Sequence, residues 1–306
     1  MWESPGEHGR EVEVVAIFTK AIFPTDFSEA SEKVLIFATG LKGFGLEEIV
    51  LVNVLDTRGL ESPVVAQKER MTRARMEKMA EDISAYGVRV VPKLLFGTSP
   101  HDAILEAAYR EEAQLIVTGS RGKSAIDEVL LGSVSEQVGR ESELPVLIVR
   151  YGLVEDREPE ELIAEAESIC SKVLHPTDFS PYSNRALQLV RELKGECEER
   201  KKPWNQVLVL HVVDGDLDEE KKELVKRDAR GKLKKVFNRL EKAGVNCDTK
   251  LVVGDPVAET LRIAGEECAS MIALGSHGKG IVSETIVGSV SQNVIRMANK
   301  PVLVTH

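Results

Sequence analysis

Two short motifs in the chain combine residue types that could hold an anionic ligand. The first is a glycine motif, G-x2-G-x9-G-S, formed by Gly119, Gly122, Gly132 and Ser133. Glycine lets a ligand approach the backbone closely, and a serine after the last glycine suits the first turn of a helix. The free N–H groups at a helix start, together with the helix dipole, bind anions such as phosphate. The motif therefore predicts a phosphate-binding loop.

The second motif is Pro-Thr-Asp-Phe-Ser at residues 24–28, directly after the apolar run at 21–23. The run predicts a buried strand that ends at Pro24. Asp26 can either hydrogen-bond a ligand or merely cap the helix that follows, and the sequence leaves both roles open. Ligands of open parallel sheets bind at the carboxyl ends of the strands, and both motifs follow predicted strands. We therefore expect the two motifs to face one site.

The same landmarks occur twice along the chain, in the same order and at nearly constant spacing. This agreement indicates duplication of a whole domain. We predict a first domain at 1–150, a charged and partly helical linker at 151–170, and a second domain at 171–306. The repeated landmarks are Pro-Thr-Asp-Phe-Ser at 24–28 and 176–180, the glycine motif, whose second copy is Gly275, Gly278, Gly288 and Ser289, and Pro-Val-Leu at 145–147 and 301–303.

Within each unit, short β-rich runs alternate with longer amphipathic segments. The run at 49–55 is almost continuously apolar, which is typical of a parallel strand covered on both faces. The alternation predicts an α/β fold of two tandem open-sheet domains, each a five-stranded parallel sheet with helices on both faces. The predicted strands are 21–23, 49–55, 88–95, 115–118 and 146–149 in the first unit, and 173–174, 207–213, 245–253, 271–274 and 302–304 in the second.

Composition restricts the partners. The 306 residues include 50 Asp and Glu against 40 Lys and Arg, for a net charge of −10. An acidic protein repels polyanions, so we expect no nucleic-acid partner and no anionic membrane partner. No window approaches the roughly 20 apolar residues that a membrane span needs, and residues 1–10 lack the apolar core of a signal peptide. The four cysteines form no C-x-x-C pair, which favours free thiols and a cytoplasmic protein.

Better-known nucleotide loops do not fit the glycine motif. A Walker A loop needs a glycine five positions before Gly122, where Val117 stands. The pattern G-x-G-x-x-G is missing as well, because Gly43 and Gly45 are followed by Glu48 where the third glycine belongs. No arrangement of nucleophile, base and acid is evident, so we assign no catalytic residue and no metal ligand. His175 and His211 lie in or beside buried runs, which favours structural roles.

Taken together, the motifs resemble the universal stress protein family. The resemblance rests on Pro-Thr-Asp-Phe-Ser, the second-strand pattern Leu-His-Val-Val-Asp at 210–214, the glycine motif and the closing Pro-Val-Leu. It covers nearly the whole chain as two consecutive domains. It implies an adenine nucleotide alpha hydrolase-like sheet of order 3-2-1-4-5 in each domain. It also implies pairing of domains through their last strands, here within one chain, with a homodimer as a further option.

The resemblance further implies that each domain binds ATP, ADP or AMP, with Mg²⁺ as a candidate companion of the phosphates. Asp26 and Asp178 would face the adenosine, Val54 and Val212 would pack against adenine, and the glycine motifs would hold ribose and phosphates. The residues implied are Pro24, Thr25, Asp26, Val54, Gly119, Arg121, Gly122, Gly132, Ser133, Val134 and Ser135 in the first unit, and Pro176, Thr177, Asp178, Val212, Gly275, His277, Gly278, Gly288, Ser289, Val290 and Ser291 in the second.

The two units depart from the family pattern to different extents. The first has Asn53 where the second has His211, the commoner family choice, and its 97–100 loop is one residue longer than 254–256. The second site therefore matches the family more closely. Three functions stay open: a nucleotide-binding stress-response regulator with little or no hydrolysis, a slow ATPase or nucleotide-dependent phosphotransferase, and a structural interaction protein with vestigial sites.

Overall fold

The computed structural model describes residues 17–120, 132–215, 218–276 and 288–306. Strands and helices alternate along both halves, as the apolar runs predict. The first half contains β1 (Lys20–Pro24), α1 (Glu29–Thr39), a 3-10 helix (Gly40–Phe44), β2 (Glu48–Leu55), α2 (Ser62–Ser84), β3 (Arg89–Phe96), α3 (Pro100–Arg110), β4 (Leu115–Gly119), α4 (Ser133–Glu141) and β5 (Val146–Val149). Next come α5 (Tyr151–Val154) and α6 (Pro159–Glu167).

The second half repeats the scheme and closes the chain. It contains β6 (Lys172–Pro176), α7 (Pro181–Glu199), β7 (Gln206–Asp214), α8 (Glu219–Lys242), β8 (Cys247–Gly254), α9 (Pro256–Glu266), β9 (Met271–Gly275), α10 (Ser289–Met297) and β10 (Val302–Thr305).

The ten strands form one sheet of order β3-β2-β1-β4-β5-β10-β9-β6-β7-β8. Within each half the neighbouring strands are parallel, and the first half has the order 3-2-1-4-5. The predicted tandem α/β fold is therefore confirmed. The halves meet where β5 and β10 run antiparallel, with Leu147 opposite Leu303. In the first half β1 and β4 are neighbours, and in the second half β6 and β9 are neighbours. The connections that follow the two strands of each pair run in opposite directions, which opens a crevice at the carboxyl ends of these strands.

Alternate residues of the strands supply two cores, one on each face of the sheet. On β1, Phe23 joins the core packed by α1, α2, α6, α7 and α8, whereas Ile22 joins the core packed by α3, α4, α9 and α10. Both side chains are fully buried. Because the inner strands are covered on both faces, their sequences are apolar at consecutive positions rather than at every second one, whereas the edge strands β3 and β8 are only partly buried.

The segment at 151–170, rich in Asp and Glu, packs against the first half. The partly helical character predicted for it is found in α6, which begins at Pro159 because Glu158 and Glu161 form a capping box there. Leu162 and Ala166 on α6 are fully buried. A Cβ on Gly40 of the first half would lie 2.7 Å from the Cβ of Ala166, so the two backbones approach closely. Because most residues of this segment are charged or polar, its composition does not reveal that Leu162 and Ala166 form a narrow apolar face on α6.

None of the helices in the described ranges combines the length and the apolar character that crossing a membrane requires.

Candidate functional site

Two cavities of nearly equal size open at the carboxyl ends of the strands, one in each half. The first cavity has a volume of about 350 Å³ and the second about 360 Å³. Their walls come from equivalent elements of the two halves. The first is lined by Pro24, Thr25, Asp26, Ser31, Val52, Asn53, Val54, Pro100, Ile104, Thr118, Gly119, Gly132, Ser133, Val134 and Ser135. The second is lined by Pro176, Thr177, Asp178, Ser183, Leu210, His211, Val212, Pro256, Thr260, Leu274, Gly275, Gly288, Ser289, Val290, Ser291 and Val294.

All the implied site residues that the structure describes lie on these walls. Arg121, Gly122, His277 and Gly278 lie outside the described residues. The motifs did not single out several further wall residues, among them Ile104 on α3 and Val294 on α10. Ile104 stands one helical turn after Pro100, so the helical period offered a signal for it. Val294 lies likewise on the first turns of the helix that the glycine motif starts.

The turn after β1 is held by its own polar side chains. The hydroxyl oxygen of Thr25 accepts a hydrogen bond from the Phe27 N–H at 3.0 Å, and Asp26 Oδ1 accepts one from the Ser28 N–H at 3.0 Å. Phe27 has a φ of 62°, a left-handed conformation that is costly for a bulky residue. The Thr and Asp bonds therefore hold the backbone in a shape that it would not adopt alone.

The turn after β6 repeats this geometry. Thr177 and Asp178 accept hydrogen bonds from the N–H groups of Phe179 and Ser180 at 3.0 and 2.9 Å, and Phe179 has a φ of 63°. The helices that follow are capped by Ser28 and Ser180, whose hydroxyl oxygens accept hydrogen bonds from the backbone three residues on. The aspartates are thus not the helix caps, and they stabilise the turn at the cavity wall.

Asn53 and His211 make the same contact in the two halves. Asn53 Nδ2 donates to the carbonyl oxygen of Thr25 at 2.7 Å. The protonated Nδ1 of His211 donates to the carbonyl oxygen of Thr177 at 2.6 Å. Each bond ties the turn to the neighbouring strand, so the amide and the imidazole are interchangeable in this role. Although the first half has asparagine and the second has histidine at this position, the backbone turn is tied to the strand in the same way in both cavities.

The opposite wall of each cavity is the start of a helix whose N-cap is glycine. Gly132 precedes α4 and Gly288 precedes α10, and neither helix has a side-chain cap within the described residues. Ser135 Oγ donates to the carbonyl oxygen of Gly119 at 2.6 Å, and Ser291 Oγ donates to that of Gly275 at 2.8 Å. These bonds hold the first turn of α4 at the end of β4 and the first turn of α10 at the end of β9. The positive end of the helix dipole consequently faces the cavity.

The two ends of each cavity are bipolar, that is, they differ in charge: one end has the positive start of a helix and the other has the carboxylate of an aspartate. None of the described wall residues is Lys or Arg, so an anion here would be held by backbone N–H groups and the helix dipole. Asp26 or Asp178 supplies a carboxylate at the other end, which favours ligand groups that donate hydrogen bonds. Val54 and Val212 add apolar surface from the second strand of each half. Each cavity therefore suits a ligand with hydroxyl or amino groups at one end and an anion at the other.

Gly275 has a packing role besides lining the second cavity. A Cβ there would lie 2.6 Å from the carbonyl carbon of Tyr182 and 2.7 Å from the nitrogen of Ser183, both backbone atoms of α7. Contacts this short do not occur in folded proteins, so β9 and α7 would have to separate. The glycine is required by the approach of this helix, a reason that the sequence motif does not reveal.

We expect Gly275→Ala to lower the free energy of unfolding by about 1–3 kcal/mol through this overpacking. Gly231→Ala is the matched control, because Gly231 lies within α8 with no atom within 4 Å of the added Cβ. There the change should stabilise the protein by up to about 1 kcal/mol, since alanine is the better helix former. Urea unfolding of both variants measures the difference, and equal effects at the two positions would contradict the packing argument.

His175 lies fully buried beneath the second cavity. Its Nδ1 donates to the carbonyl oxygen of Ala273 at 2.9 Å, and its Nε2 lies 3.2 Å from the hydroxyl oxygen of Ser183, which donates to Thr177 Oγ1 at 2.6 Å. Burial lowers the pKa of His175 to about 4, so the ring is neutral near pH 7. Phe23 stands at the equivalent position of the first half and is equally buried. The structural role predicted for His175 agrees with this environment.

Comparison with known proteins connects both halves to one family. The model of the universal stress protein family matches residues 18–150 and 170–306. The chain is 33% identical over 156 residues to a universal stress protein of Methanocaldococcus jannaschii, a match that covers 44% of this chain and 93% of that protein. It is 22% identical over 286 residues to one from Synechocystis, covering 93% and 88%. The crystal structure of a universal stress protein from Archaeoglobus fulgidus superposes with a TM-score of 0.71 at 26% identity, covering 94% of this chain and 97% of that one.

Proposed function

The chain belongs to the universal stress protein family, and from that premise we propose that it is a stress-response regulator that binds adenine nucleotides. Each domain has one site for ATP, ADP or AMP, and hydrolysis is slow or absent. We take the domains as residues 1–150 and 171–306, joined by 151–170. We place the protein in the cytoplasm, with neither a nucleic-acid nor a membrane partner.

The observation that carries the proposal is the bipolar cavity, present twice in equivalent form. An adenine nucleotide has ribose hydroxyls and an amino group at one end, which Asp26 or Asp178 can accept as hydrogen-bond donors. Its phosphates match the uncapped starts of α4 and α10. Val54 or Val212 offers apolar surface to the base. This arrangement explains how a protein of net charge −10 could bind a polyanion.

The wall residues suit a nucleotide better than a tightly bound metal ion. Among the described residues, Asp26 is the one carboxylate on the first wall and Asp178 the one on the second. A single carboxylate makes a poor Mg²⁺ site without the oxygens of a phosphate ligand. Mg²⁺ would therefore enter with the nucleotide, which would complete its coordination.

A contact between the two halves gives the regulatory part of the proposal a structural basis. Gln292 of α10 donates to Glu136 Oε1 of α4 at 2.5 Å. These residues stand one turn into the two helices whose starts line the cavities. A nucleotide that shifts the first turn of either helix would act close to this contact. Occupancy of the sites could thus change the surface around the paired β5 and β10, where a partner would detect it.

The test is to purify the protein without added nucleotide, release any bound small molecules by denaturation, and quantify them by mass spectrometry. Calorimetric titration with ATP, ADP and AMP, each with and without Mg²⁺, then follows on nucleotide-free protein. We expect about two adenine nucleotides per chain, because the two cavities have nearly the same volume and wall chemistry.

Other outcomes lead to the alternative functions. Multiple turnovers of ATP, lost in Gly122→Val and Gly278→Val, would identify a slow ATPase or phosphotransferase. Folded protein that binds none of the three nucleotides would refute nucleotide binding and leave the structural interaction protein.

A further inference from the structure

Outside the two cavities, one side-chain cluster in the first half has the composition of a metal site. Among the residues that the structure describes, His101, Asp102 and Glu141 are the one group of three metal-ligating side chains close enough to share an ion. Their ligand atoms all lie within 4.8 Å of one another. His101 and Asp102 belong to the first turn of α3, and Glu141 is the last residue of α4. We propose that these three side chains bind one Zn²⁺ ion.

The distances within the cluster support a tetrahedral ion. His101 Nε2 lies 3.4 Å from Asp102 Oδ1 and 3.6 Å from Glu141 Oε2. Good hydrogen bonds are shorter, about 2.7–3.2 Å, so His101 Nε2 stands close to both carboxylates without a good hydrogen bond to either. Zn²⁺ with tetrahedral ligands at about 2.1 Å separates those ligand atoms by about 3.4 Å. An octahedral Mg²⁺ site requires about 3.0 Å, which fits less well.

Neighbouring side chains contact two of the three ligands. Ser99 Oγ lies 3.0 Å from His101 Nδ1 and 3.5 Å from Nε2, so the hydroxyl packs against the imidazole beside both ring nitrogens. Arg140 donates to Glu141 Oε1 at 2.8 Å, so Oε2 is the oxygen turned toward the imidazole.

The second half carries the same backbone arrangement without the ligands. Pro256 starts α9 as Pro100 starts α3, but the equivalents of the three ligands are Val257, Ala258 and Met297. None of these is a usual zinc ligand. All three ligand positions therefore carry non-ligating residues in the second half. Those residues can be used as substitutions that the same backbone arrangement tolerates. The site would occur once per chain and would not depend on the proposed nucleotide binding.

The charge balance also suits a divalent ion. Two carboxylates compensate the charge of Zn²⁺, and the neutral imidazole provides the third ligand. The His101 and Glu141 side chains are 18% and 28% exposed and that of Asp102 is 70% exposed, so the ion would lie at the protein surface, shielded from water on the side of His101 and Glu141. Three protein ligands leave the fourth tetrahedral position to a water molecule. The ion would link the start of α3 to the end of α4 on one face of the sheet.

The test is calorimetric titration of chelator-treated, dialysed full-length protein with zinc chloride, in a Cys268→Ser background because that thiol is exposed. We expect one Zn²⁺ per chain. The variant with the residues of the second half, His101→Val, Asp102→Ala and Glu141→Met, should bind at least about 100-fold more weakly, because loss of an outer-shell partner alone costs 10- to 100-fold. Glu106→Gln, an exposed acid of α3 outside the cluster, should bind zinc as the parent does.

Thermal unfolding provides a second readout. Zinc should raise the Tm of the parent and of Glu106→Gln, but not that of the triple variant or of the milder His101→Gln. Circular dichroism establishes that each variant is folded, and His101→Gln decides the matter if the triple variant does not fold. Failure of the parent to retain zinc after dialysis against micromolar zinc would overturn the proposal. Unchanged binding in folded His101→Gln would do so as well.

Discussion

Replacing Ser289 by aspartate should eliminate nucleotide binding at the second cavity without loss of stability. Ser289 is the first residue of α10 and is exposed at the wall where the phosphates would lie. A carboxylate there faces the phosphates at short range, and a repulsion of about 4 kcal/mol at 4 Å lowers affinity by more than about 100-fold. The same carboxylate interacts favourably with the helix dipole, by about 0.3–1 kcal/mol. Binding and stability should therefore change in opposite directions.

Titration calorimetry and thermal unfolding measure the two effects on one preparation. Ser289→Asn is the matched control, because it has nearly the size of aspartate without its charge, and it should retain affinity within about tenfold. Ser133→Asp is the corresponding change in the first cavity. Each aspartate variant should reduce the stoichiometry from about two to about one, and the double variant should bind none. Full stoichiometry in Ser289→Asp would contradict placement of the phosphates at this helix start.

The protein should lose up to about 3 kcal/mol of stability through His175 as the pH falls from 6.5 to 4. The pKa of His175 is lowered from 6.5 to about 4 in the folded protein, because burial penalises the charged ring. Between these values the unfolded chain binds the proton and the folded protein does not, so protonation favours unfolding. The contribution is complete above pH 6.5, falls as the pH drops, and changes no further below about 4.

Urea unfolding of the parent and of His175→Phe across this pH range isolates the effect. Phenylalanine is the natural occupant of the equivalent position, where Phe23 is fully buried. The variant should lack the His175 contribution, so the stability difference between the two proteins should change by up to about 3 kcal/mol between pH 6.5 and 4. Carboxylates that titrate in the same range act on both proteins and cancel in the comparison. A pH-independent difference would show that His175 does not titrate as its burial requires.

The sequence predicted the elements well because the strongest local patterns coincide with buried structure. The run at 49–55 becomes β2 at Glu48–Leu55, and the run at 146–149 is β5 without change. The spacing of Met71, Met79, Ile83 and Tyr86 predicts a helix over 64–86, and α2 at Ser62–Ser84 is shifted from that segment by two residues. Strands covered on both faces must be apolar throughout, and this requirement can be read from a single sequence.

Some residues of the cavity walls belong to sequence motifs, and others reach the walls only through the packing of helices on the sheet. The Thr-Asp turns and the glycine starts of α4 and α10 are local features, so their residues were identifiable from type and spacing. Ile104 and Val294 reach the same walls only because α3 and α10 cross the sheet at these places. The structural equivalence of Asn53 and His211 depends on the distance from β2 or β7 to the preceding turn. No local pattern encodes that distance.

The sequence by itself determined the duplication, the alternation of strands and helices, and the motif residues at the strand ends. Each follows from residue type and local period, which act over a few positions of the chain. Only the tertiary structure decided that β5 and β10 run antiparallel with Leu147 opposite Leu303, that α6 packs on the first half, and that Ser28 caps α1 in place of Asp26. It also brought Glu141 to His101, forty residues away along the chain. These outcomes depend on which buried faces fit each other, and that fit is set by the packing of the whole core.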